Sequence, residues 1–340
     1  MIRMIKLGLL IAMVSVASAN SVAVSGAKTP VAPGGWVSAV GDIANGSWKQ
    51  FGIHYVISVP GKSDVIAGIS YKGLWITGNG GVTWRQLCPP TTVGADPFYI
   101  NFDPLNSDKF WVTSIHGSSI YKTTNGGETF EMLRPIGGET VSVDFLDPDR
   151  RTLLTADHER YNTLQISFSS GRSWHSITDN VPPGAALMPN AFIYGDNTVI
   201  SGSDSKTRPG IFRSPDAGKT WQKVAPFVPG WRHARLGSKP GVIYWSGASS
   251  GFLRSDDGGK TWANLGGPIT APPVEANGML VSYGGKQLYA STDGGTTWKL
   301  YGPPIPFEPW GITYNEKLRA FFVWKLSTSF DNRSLLKWTP

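Results

Sequence analysis

Histidine and tyrosine side chains in this sequence could transfer protons to and from a substrate, and arginine side chains could bind its negative charge. The chain of 340 residues contains five histidines. Four of them are candidates for a catalytic base or acid: His54, His116, His158 and His233. Imidazole suits both roles because its unperturbed pKa lies near neutral pH. Tyr161 is the predicted partner of these histidines in proton transfer.

A second group of residues could hold a substrate through charge or through aromatic faces. Arginine binds a carboxylate with two parallel hydrogen bonds, and aromatic rings stack on sugars. The predicted substrate-binding residues are Arg160, Arg232, Arg235, Tyr71, Trp231 and Trp310. Among them, Arg160 and Arg232 are the expected carboxylate clamp.

Together these residues suit β-elimination on a glycan that contains uronic acid. Arginine would stabilise the negative charge that grows when the C5 proton leaves. A neutral His or a Tyr would take that proton, and a second group would protonate the leaving oxygen. The same residues would also suit the binding of an anionic sugar without turnover.

Hydrolysis is the alternative chemistry for a glycosidic bond, and it requires two carboxyl groups about 5 to 10 Å apart. The candidates are Asp157, Glu159, Asp204, Glu275 and Glu308. No spacing among them singles out a pair, so the hydrolase stays open as an alternative.

Metal chemistry has little support in the sequence. There is no HExxH segment, no pair of cysteines and no DxDxDG loop. We therefore expect no metal and no cofactor in the reaction.

Six related octets are the elements that must position the candidate residues. The clearest copy, Ser-Thr-Asp-Gly-Gly-Thr-Thr-Trp, occupies residues 291–298, and the others begin at residues 77, 123, 167, 214 and 255. The Asp, Asn or Ser at the third position can bond nearby backbone N–H groups, and glycine accepts positive φ. Each octet therefore predicts a tight hairpin with its final aromatic residue packed beneath the turn.

The octets recur at intervals of 36 to 47 residues, which is typical of a propeller blade with four short strands. We therefore predict an all-β fold, a seven-bladed β-propeller over residues 35–340. Three strands are expected after the last octet, at residues 311–314, 320–324 and 334–338. Residues 46–51 are the predicted fourth strand of that blade. The N- and C-terminal strands would then close the ring and remove its exposed edges.

The octets resemble Asp-boxes, also called BNR repeats, and the resemblance covers almost the whole chain after the N-terminal segment. Proteins with these repeats include sialidases, xyloglucan-active glycosidases, polysaccharide lyases, sortilin-type receptors and photosystem II assembly factors. The chain lacks the Arg-Ile-Pro segment and the three-arginine set of a sialidase. A xyloglucanase of this kind usually has two propellers, so that assignment would require a reduced architecture.

The resemblance implies that the Asp-box lies between the third and fourth strands, at the outer, lower edge of each blade. Ligands of a propeller bind on the opposite face, where the loops between blades and between second and third strands converge. The four candidate histidines fall on that face in this chain, whereas His175 follows an octet at the lower edge.

The N-terminus is interpreted as a secretory signal peptide over residues 1–19, followed by a flexible segment over residues 20–34. Arg3 and Lys6 precede an apolar run over residues 7–16, and small residues then offer a cleavage site. The apolar run is too short to span a bilayer, which takes about 20 residues. We therefore expect a secreted protein, extracellular or periplasmic, without a membrane span.

Charge and cysteine content limit the partners. Without Arg3 and Lys6 the formal net charge falls from +7 to +5, and there are no Lys/Arg runs, so nucleic acid is not an expected partner. Cys88 is the single cysteine, so no intrachain disulfide can form. We expect a monomer that acts on a polysaccharide or oligosaccharide, with a lyase slightly ahead of a glycoside hydrolase. A non-catalytic propeller that binds glycan or protein is the third hypothesis.

Overall fold

Short β-strands make up nearly all of the regular structure. The computed structural model describes residues 35–44, 52–94, 96–115, 119–134, 138–249, 251–326 and 334–340. The helical elements of these ranges are a 3-10 helix at Gly41–Ala44 and a helix α1 at Pro90–Val93. The predicted signal peptide, the predicted flexible segment and the predicted strand at residues 46–51 lie outside the described residues.

The strands form seven antiparallel sheets of four strands each. Strand β1 spans Val37–Ser38. Blade 1 contains β2 (Ile53–Ser58), β3 (Val65–Ile69), β4 (Gly73–Thr77) and β5 (Arg85–Cys88); blade 2 contains β6 (Pro97–Asp103), β7 (Asn106–Ser114), β8 (Ile120–Thr123) and β9 (Glu131–Arg134). Blade 3 contains β10 (Thr140–Val143), β11 (Leu153–Ala156), β12 (Gln165–Ser167) and β13 (His175–Ser176); blade 4 contains β14 (Phe192–Gly195), β15 (Thr198–Ser203), β16 (Gly210–Ser214) and β17 (Gln222–Ala225).

The remaining blades repeat the order. Blade 5 contains β18 (Arg235–Leu236), β19 (Ile243–Ser246), β20 (Phe252–Ser255) and β21 (Ala263–Gly266); blade 6 contains β22 (Val274–Ala276), β23 (Met279–Gly284), β24 (Gln287–Ser291) and β25 (Lys299–Tyr301). Blade 7 contains β26 (Gly311–Asn315), β27 (Ala320–Trp324), β28 (Leu335–Trp338) and β1. The first strand of blade 1, β2, contacts the first strands of blades 2 and 7, so the sheets follow one another around a ring.

Blade 7 contains both ends of the described chain. Strand β1 pairs antiparallel with β28, with Val37 opposite Lys337 and Ser38 opposite Leu336. Closure of the ring by N- and C-terminal strands is thus confirmed. The prediction for the N-terminal partner needs correction, because Val37–Ser38 occupies the position beside β28 that was assigned to residues 46–51.

Apolar side chains pack between neighbouring blades. Ile166 of blade 3 and Phe212 of blade 4 belong to one buried cluster, and Leu288 of blade 6 and Phe321 of blade 7 belong to another. Burying side chains of this size contributes about 1.5 to 3 kcal/mol each. The fold is therefore stabilised chiefly at the contacts between sheets, which leaves the loops at either end free for other roles.

The Asp-box hairpin over residues 291–298 is closed by its own side chains. Ser291 Oγ donates to Asp293 Oδ1 at 2.8 Å and accepts the N–H of Gly295 at 2.8 Å. Asp293 Oδ1 also accepts the N–H of Thr297 at 2.9 Å, and Thr297 Oγ1 donates to Asp293 Oδ2 at 2.6 Å. These hydrogen bonds, led by the one from the Thr297 side chain, lower the pKa of Asp293 to about 2. The predicted role of Asp293 as a turn residue is confirmed.

The same hairpin recurs at the other octets. In every copy the first Ser or Thr accepts the N–H of the fifth residue at 2.7 to 3.0 Å; these N–H donors are Gly81, Gly127, Gly171, Gly218, Gly259 and Gly295. Asn79 and Asn125 accept the same hydroxyl as Asp293 does, at 2.9 Å. A short oxygen acceptor at the third position therefore suffices to close the turn.

The aromatic residue of the octet contacts the preceding blade in several copies. Trp84 Nε1 donates to Ala39 O and Trp221 Nε1 donates to Ile177 O, both at 3.0 Å. The Trp298 ring packs edge-on against Phe252 of blade 5, with centroids 5.6 Å apart. The octets thus join neighbouring blades as well as turning the chain.

Within the described ranges, no helix is long or apolar enough to cross a membrane.

Candidate active site

A cavity of about 710 Å³ opens on the face opposite the Asp-boxes. In a four-stranded antiparallel blade, the hairpin between third and fourth strands lies at one end. The loop between second and third strands and the connection to the next blade lie at the other end. The cavity is lined from that other end, for example by His158 between β11 and β12 and by Trp231 between β17 and β18. Its volume is typical of a pocket that binds a small organic ligand.

Nine of the predicted site residues line this cavity, and all of them come from the loops or strand ends of one face. They are His54, His158, His233, Tyr161, Glu159, Arg232, Arg235, Trp231 and Trp310. The fold therefore brings together most of the predicted histidines and arginines, although they come from distant parts of the chain.

His158 is paired with a carboxylate. Its Nδ1 donates a hydrogen bond to Glu139 Oε2, and its Nε2 lies 3.7 Å from Glu159 Oε1. The hydrogen bond to Glu139 is the main reason that the pKa of His158 is raised above its usual 6.5. Burial opposes this rise, and the charges of Glu139, Glu159 and Asp96 add to it. His158 is thus a proton donor over a wider pH range than a free imidazole.

His233 has the opposite environment. Its ring packs against Tyr99, with centroids 4.2 Å apart, and against Phe98, with centroids 5.9 Å apart. Its Nε2 is buried and has no hydrogen-bond partner among the described residues. Burial lowers the pKa of His233 to about 4; the charge of Arg232 acts in the same direction, and Glu139 opposes it. His233 is therefore neutral at physiological pH and its ring can accept a proton.

Arg232 lies flat against an aromatic ring. Its guanidinium carbon is 3.7 Å from the centre of the Trp310 ring, a close cation–π contact. One face of Trp310 is therefore covered, and the residue is less suited to stack on a sugar than its sequence position indicated. The loop of Arg232 is fixed by Trp245, whose Nε1 donates to Arg232 O at 2.7 Å.

Arg235, at the start of β18, is held by main chain rather than by a ring. Its Nη2 donates to Ile312 O at 2.7 Å. Burial lowers the pKa of this guanidinium, and the nearby hydroxyl groups of Tyr55, Tyr99 and Tyr283 favour its charged form. Arg235 lines the cavity, and no carboxylate of the described chain forms an ion pair with it.

His54 belongs to a buried network at the side of the cavity. Its Nε2 lies 3.9 Å from Asp96 Oδ1, and neither side chain has more than 3% of its surface exposed. The Ser70 hydroxyl donates a hydrogen bond to Asp96 Oδ1, and the Asp96 N–H donates to Ser114 Oγ at 3.0 Å. The enclosed position favours a positioning role for His54 over direct proton transfer.

Tyr161 and Trp231 form an aromatic rim. Their ring centroids are 5.8 Å apart in an edge-on contact, and 40% and 47% of their surfaces are exposed. The Tyr161 hydroxyl donates to Asp204 Oδ2 at 2.9 Å. Burial and this carboxylate raise the pKa of Tyr161 to about 12, so it is a poor base at neutral pH. The exposed faces of the rim suit contact with a sugar ring.

Several predicted residues are not brought to the cavity. Arg160 is 73% exposed and lies 3.8 Å from Asp157, while Tyr71 is 48% exposed elsewhere on the surface. The expected clamp of Arg160 and Arg232 is therefore not assembled, because Arg160 points away and Arg232 is stacked on Trp310. His116 lies outside the described residues.

Most of the predicted carboxylates have structural partners. Asp157 forms an ion pair with Arg134 at 3.2 Å, and Asp204 accepts from Tyr161. Glu275 accepts from Ser238 N–H and the Tyr244 hydroxyl at 3.0 and 2.8 Å, and its side chain joins blades 5 and 6. Glu308 is exposed and does not line the cavity. Glu159 is the one predicted carboxylate among the lining residues of the described chain.

Four further residues line the cavity that were not predicted as site residues: Glu139, Tyr55, Tyr99 and Tyr283. Glu139 and Tyr99 lie near the beginning of the first strand of a blade, as His54 and His233 do. This shared position could have indicated from the sequence that Glu139 and Tyr99 face the cavity. Tyr55 and Tyr283 lie inside strands, where an inward-facing aromatic residue looks like ordinary packing.

Within the described residues, no group of three His, Cys, Asp or Glu side chains could hold a metal ion.

Comparison with known proteins supports the fold. A family model described as BNR/Asp-box repeat matches residues 289–300, which include the octet at residues 291–298. No curated protein matches the sequence. Seven four-stranded sheets and six octets of this type define the chain as a β-propeller built from Asp-box repeats.

Solved structures with the same fold include two GH74 proteins and YCF48. The GH74 enzyme from Niastella koreensis has a TM-score of 0.62 and 16% identity; the match covers 85% of this chain and 43% of that one. The GH74 xyloglucanase from Xanthomonas campestris has a TM-score of 0.53 and 18% identity, with 78% and 46% covered. This chain thus spans less than half the length of either enzyme. YCF48 from Cyanidioschyzon merolae has a TM-score of 0.55 and 13% identity, with 90% and 99% covered.

Proposed function

We propose that the cavity binds an acidic sugar residue of a glycan and cleaves its glycosidic bond by β-elimination. The observation that carries this proposal is the pair of histidines on one cavity. His158 is held by the Glu139 carboxylate, and His233 is packed between aromatic rings with a buried, unpaired Nε2. Two titratable groups with opposed environments are the usual arrangement of a general acid and a general base.

The roles follow from these environments. His233 is the base, and its neutral Nε2 takes the proton from C5 of the uronate. The electron pair of that C–H bond forms the C4–C5 double bond, and the bond from C4 to the glycosidic oxygen breaks. His158 is the acid and gives its proton to the leaving oxygen. An anionic substrate also makes His233 more basic on binding, because it places negative charge near the imidazole.

Two arginines supply the positive charge that this reaction needs. Removal of the C5 proton delocalises negative charge onto the uronate carboxylate, and a guanidinium in a cavity with little water stabilises that charge strongly. Arg232 and Arg235 both line the cavity. Neutral sugars lack the carboxylate and cannot react in this way.

Hydrolysis by two carboxylates fits the cavity less well. Among the described lining residues Glu139 is bonded to His158, and Glu159 is 78% exposed. No other predicted carboxylate lines the cavity. The Xanthomonas campestris protein is a xyloglucanase, which supports a sugar polymer as the class of ligand; the elimination chemistry rests on the cavity alone.

The proposed place of action is outside the cytoplasm, as the predicted signal peptide over residues 1–19 implies, and the proposed form is a monomer.

The test is an assay of the purified protein against a panel of uronate polysaccharides. Elimination creates an unsaturated uronate that absorbs in the ultraviolet, whereas hydrolysis creates reducing ends without that absorbance. We expect both signals with an acidic glycan and neither with xyloglucan. Reducing ends without ultraviolet absorbance would identify a hydrolase, and the absence of any cleavage would favour a binding propeller.

A further inference from the structure

Three tyrosines lie near Arg235, and the hydroxyl groups of two of them have no hydrogen-bond partner among the described residues. Tyr283 donates its hydroxyl hydrogen to Trp310 O at 2.8 Å. Tyr55 and Tyr99 also line the cavity, with ring centroids 5.6 Å apart, but neither hydroxyl has a hydrogen-bond partner in the part of the chain that the structure describes. Two O–H donors are thus available beside a guanidinium.

The charge of Arg235 is close enough to affect both hydroxyls. Burial raises the pKa of Tyr55 and of Tyr99, and the Arg235 charge opposes this rise in both. The net direction is upward, so both groups stay protonated and remain donors at physiological pH. A guanidinium and two phenol groups can together donate several hydrogen bonds to an anion. Because the phenol groups are neutral, they offset the positive charge of Arg235 only in part.

A buried charge without a counter-ion is costly unless a ligand supplies the missing charge. Among the described residues Arg235 has a carbonyl partner, Ile312 O, but no carboxylate partner. By contrast, Arg134 and Arg150 are buried, each with 6% of its surface exposed, and each pairs with an aspartate, Asp157 and Asp103 respectively. Arg235 therefore differs from the structural arginines of this fold.

We propose that Arg235 and the hydroxyl groups of Tyr55 and Tyr99 form an anion seat that binds the carboxylate of the substrate's acidic sugar. This inference rests on the proposed function and replaces the clamp of Arg160 and Arg232 that the sequence indicated. It assigns substrate recognition to two tyrosines, and it places the carboxylate next to Tyr99, the residue on which His233 is packed. The base is thereby adjacent to the carbon that bears the carboxylate.

The test measures binding of single sugars by titration calorimetry or by ligand-observed NMR, without any need for turnover. The probes are D-glucuronate, D-glucose and D-glucose 6-sulfate. We expect D-glucuronate to bind and D-glucose to bind at least tenfold more weakly. Tyr55→Phe and Tyr99→Phe should each weaken D-glucuronate binding by about tenfold, because each removes one hydrogen bond to a charged group and keeps the ring. Arg235→Gln should abolish binding.

The matched control is Tyr314→Phe, which removes a hydroxyl bonded to Asn277 at 2.9 Å and does not line the cavity. It should leave D-glucuronate binding unchanged. Melting temperatures of all variants show whether Arg235→Gln folds. If it does not fold, D-glucuronate binding by the two Tyr→Phe variants still tests the anion seat.

The results separate this inference from the proposed function. Unchanged D-glucuronate binding in both Tyr→Phe variants would overturn the anion seat, even if the protein cleaves a glycan by elimination. Tyrosine-dependent binding of D-glucuronate without cleavage of any glycan would support the seat and overturn the lyase. Equally tight, tyrosine-dependent binding of D-glucose 6-sulfate would contradict the assignment to a carboxylate.

Discussion

The two ends of this propeller use similar polar residues in opposite ways. At the lower rim the polar side chains of an Asp-box bond each other and the backbone N–H groups of the same octet, as those of Ser291, Asp293 and Thr297 do. At the upper face the cavity collects groups from distant parts of the chain, and several of them have no hydrogen-bond partner among the described residues, such as His233 Nε2 and the Tyr99 hydroxyl. Satisfied groups stabilise a turn, whereas unsatisfied groups beside a cavity are available to a ligand.

The largest effect expected from this difference is on activity at the upper face. His233→Gln and His158→Gln should each lower kcat/KM on an acidic glycan by about 10² to 10⁴, because general acid–base catalysis contributes about that much. Their melting temperatures should change little, since neither ring is a main part of a buried apolar cluster.

His175→Gln is the matched control, since His175 is exposed in β13 at the end of an Asp-box. It should leave kcat/KM unchanged. Unfolding of His233→Gln or His158→Gln would show instead that these histidines have structural roles.

The next largest effect is on stability at the lower rim. Trp298→Ala should lower the free energy of unfolding by about 3 kcal/mol, the lower end of the range for a buried aromatic residue, because the ring is partly exposed and packs on Phe252. Denaturant unfolding checks this value. KM of the folded variant should be unchanged; an altered KM would mean that the two ends of the propeller are not independent.

The aromatic rim gives a smaller and different effect. Trp231→Ala should raise KM by about threefold to tenfold with little change in kcat, because stacking on a sugar away from the reacting bond contributes to binding alone. Phe168→Ala is the matched control, since Phe168 is also 47% exposed but belongs to an Asp-box octet. Equal KM values for both variants would remove Trp231 from the substrate site.

The smallest effect tests how interchangeable the turn residues are. Asp293→Asn should leave the melting temperature almost unchanged, because Asn79 and Asn125 accept the same hydrogen bonds at the same octet position. Asp293→Ala should lower it measurably. If Asp293→Asn were as harmful as Asp293→Ala, the negative charge itself would matter at this rim.

The lower rim could be predicted from the sequence because its interactions are local. Ser291, Asp293 and Gly295 lie within five residues, so their spacing already contains the hydrogen-bond pattern. The repeat also predicted seven blades. Six octets indicate six blades, and the three strands after the last octet form a seventh blade once an N-terminal strand supplies the fourth. Which N-terminal residues supply that strand could not be predicted, because Val37–Ser38 is only two residues long and resembles no octet.

The upper face could be predicted only in part. The loop rule brought His158 and His233 to one cavity, but the pairing of His158 with Glu139 joins residues from different loops and leaves no spacing signal. Arg160 shows a second limit of the loop rule. Its loop lies on the predicted face, but its side chain is exposed to solvent and does not line the cavity. Loop position predicts the face of a side chain, and only packing determines its direction.

The central claim is that His158 and His233 have opposed proton affinities on one cavity. NMR titration of the histidine C2–H resonances measures both directly, with His158→Gln and His233→Gln used to assign them. We expect His158 to titrate above the ordinary pKa of 6.5, because the Glu139 carboxylate favours its charged form, and His233 to titrate with a pKa of about 4, because burial favours its neutral form. Activity should then be lost as the pH falls towards 4 and as it rises above the pKa of His158. Titration of both rings at the ordinary value, or a raised value for His233, would contradict the assignment of acid and base.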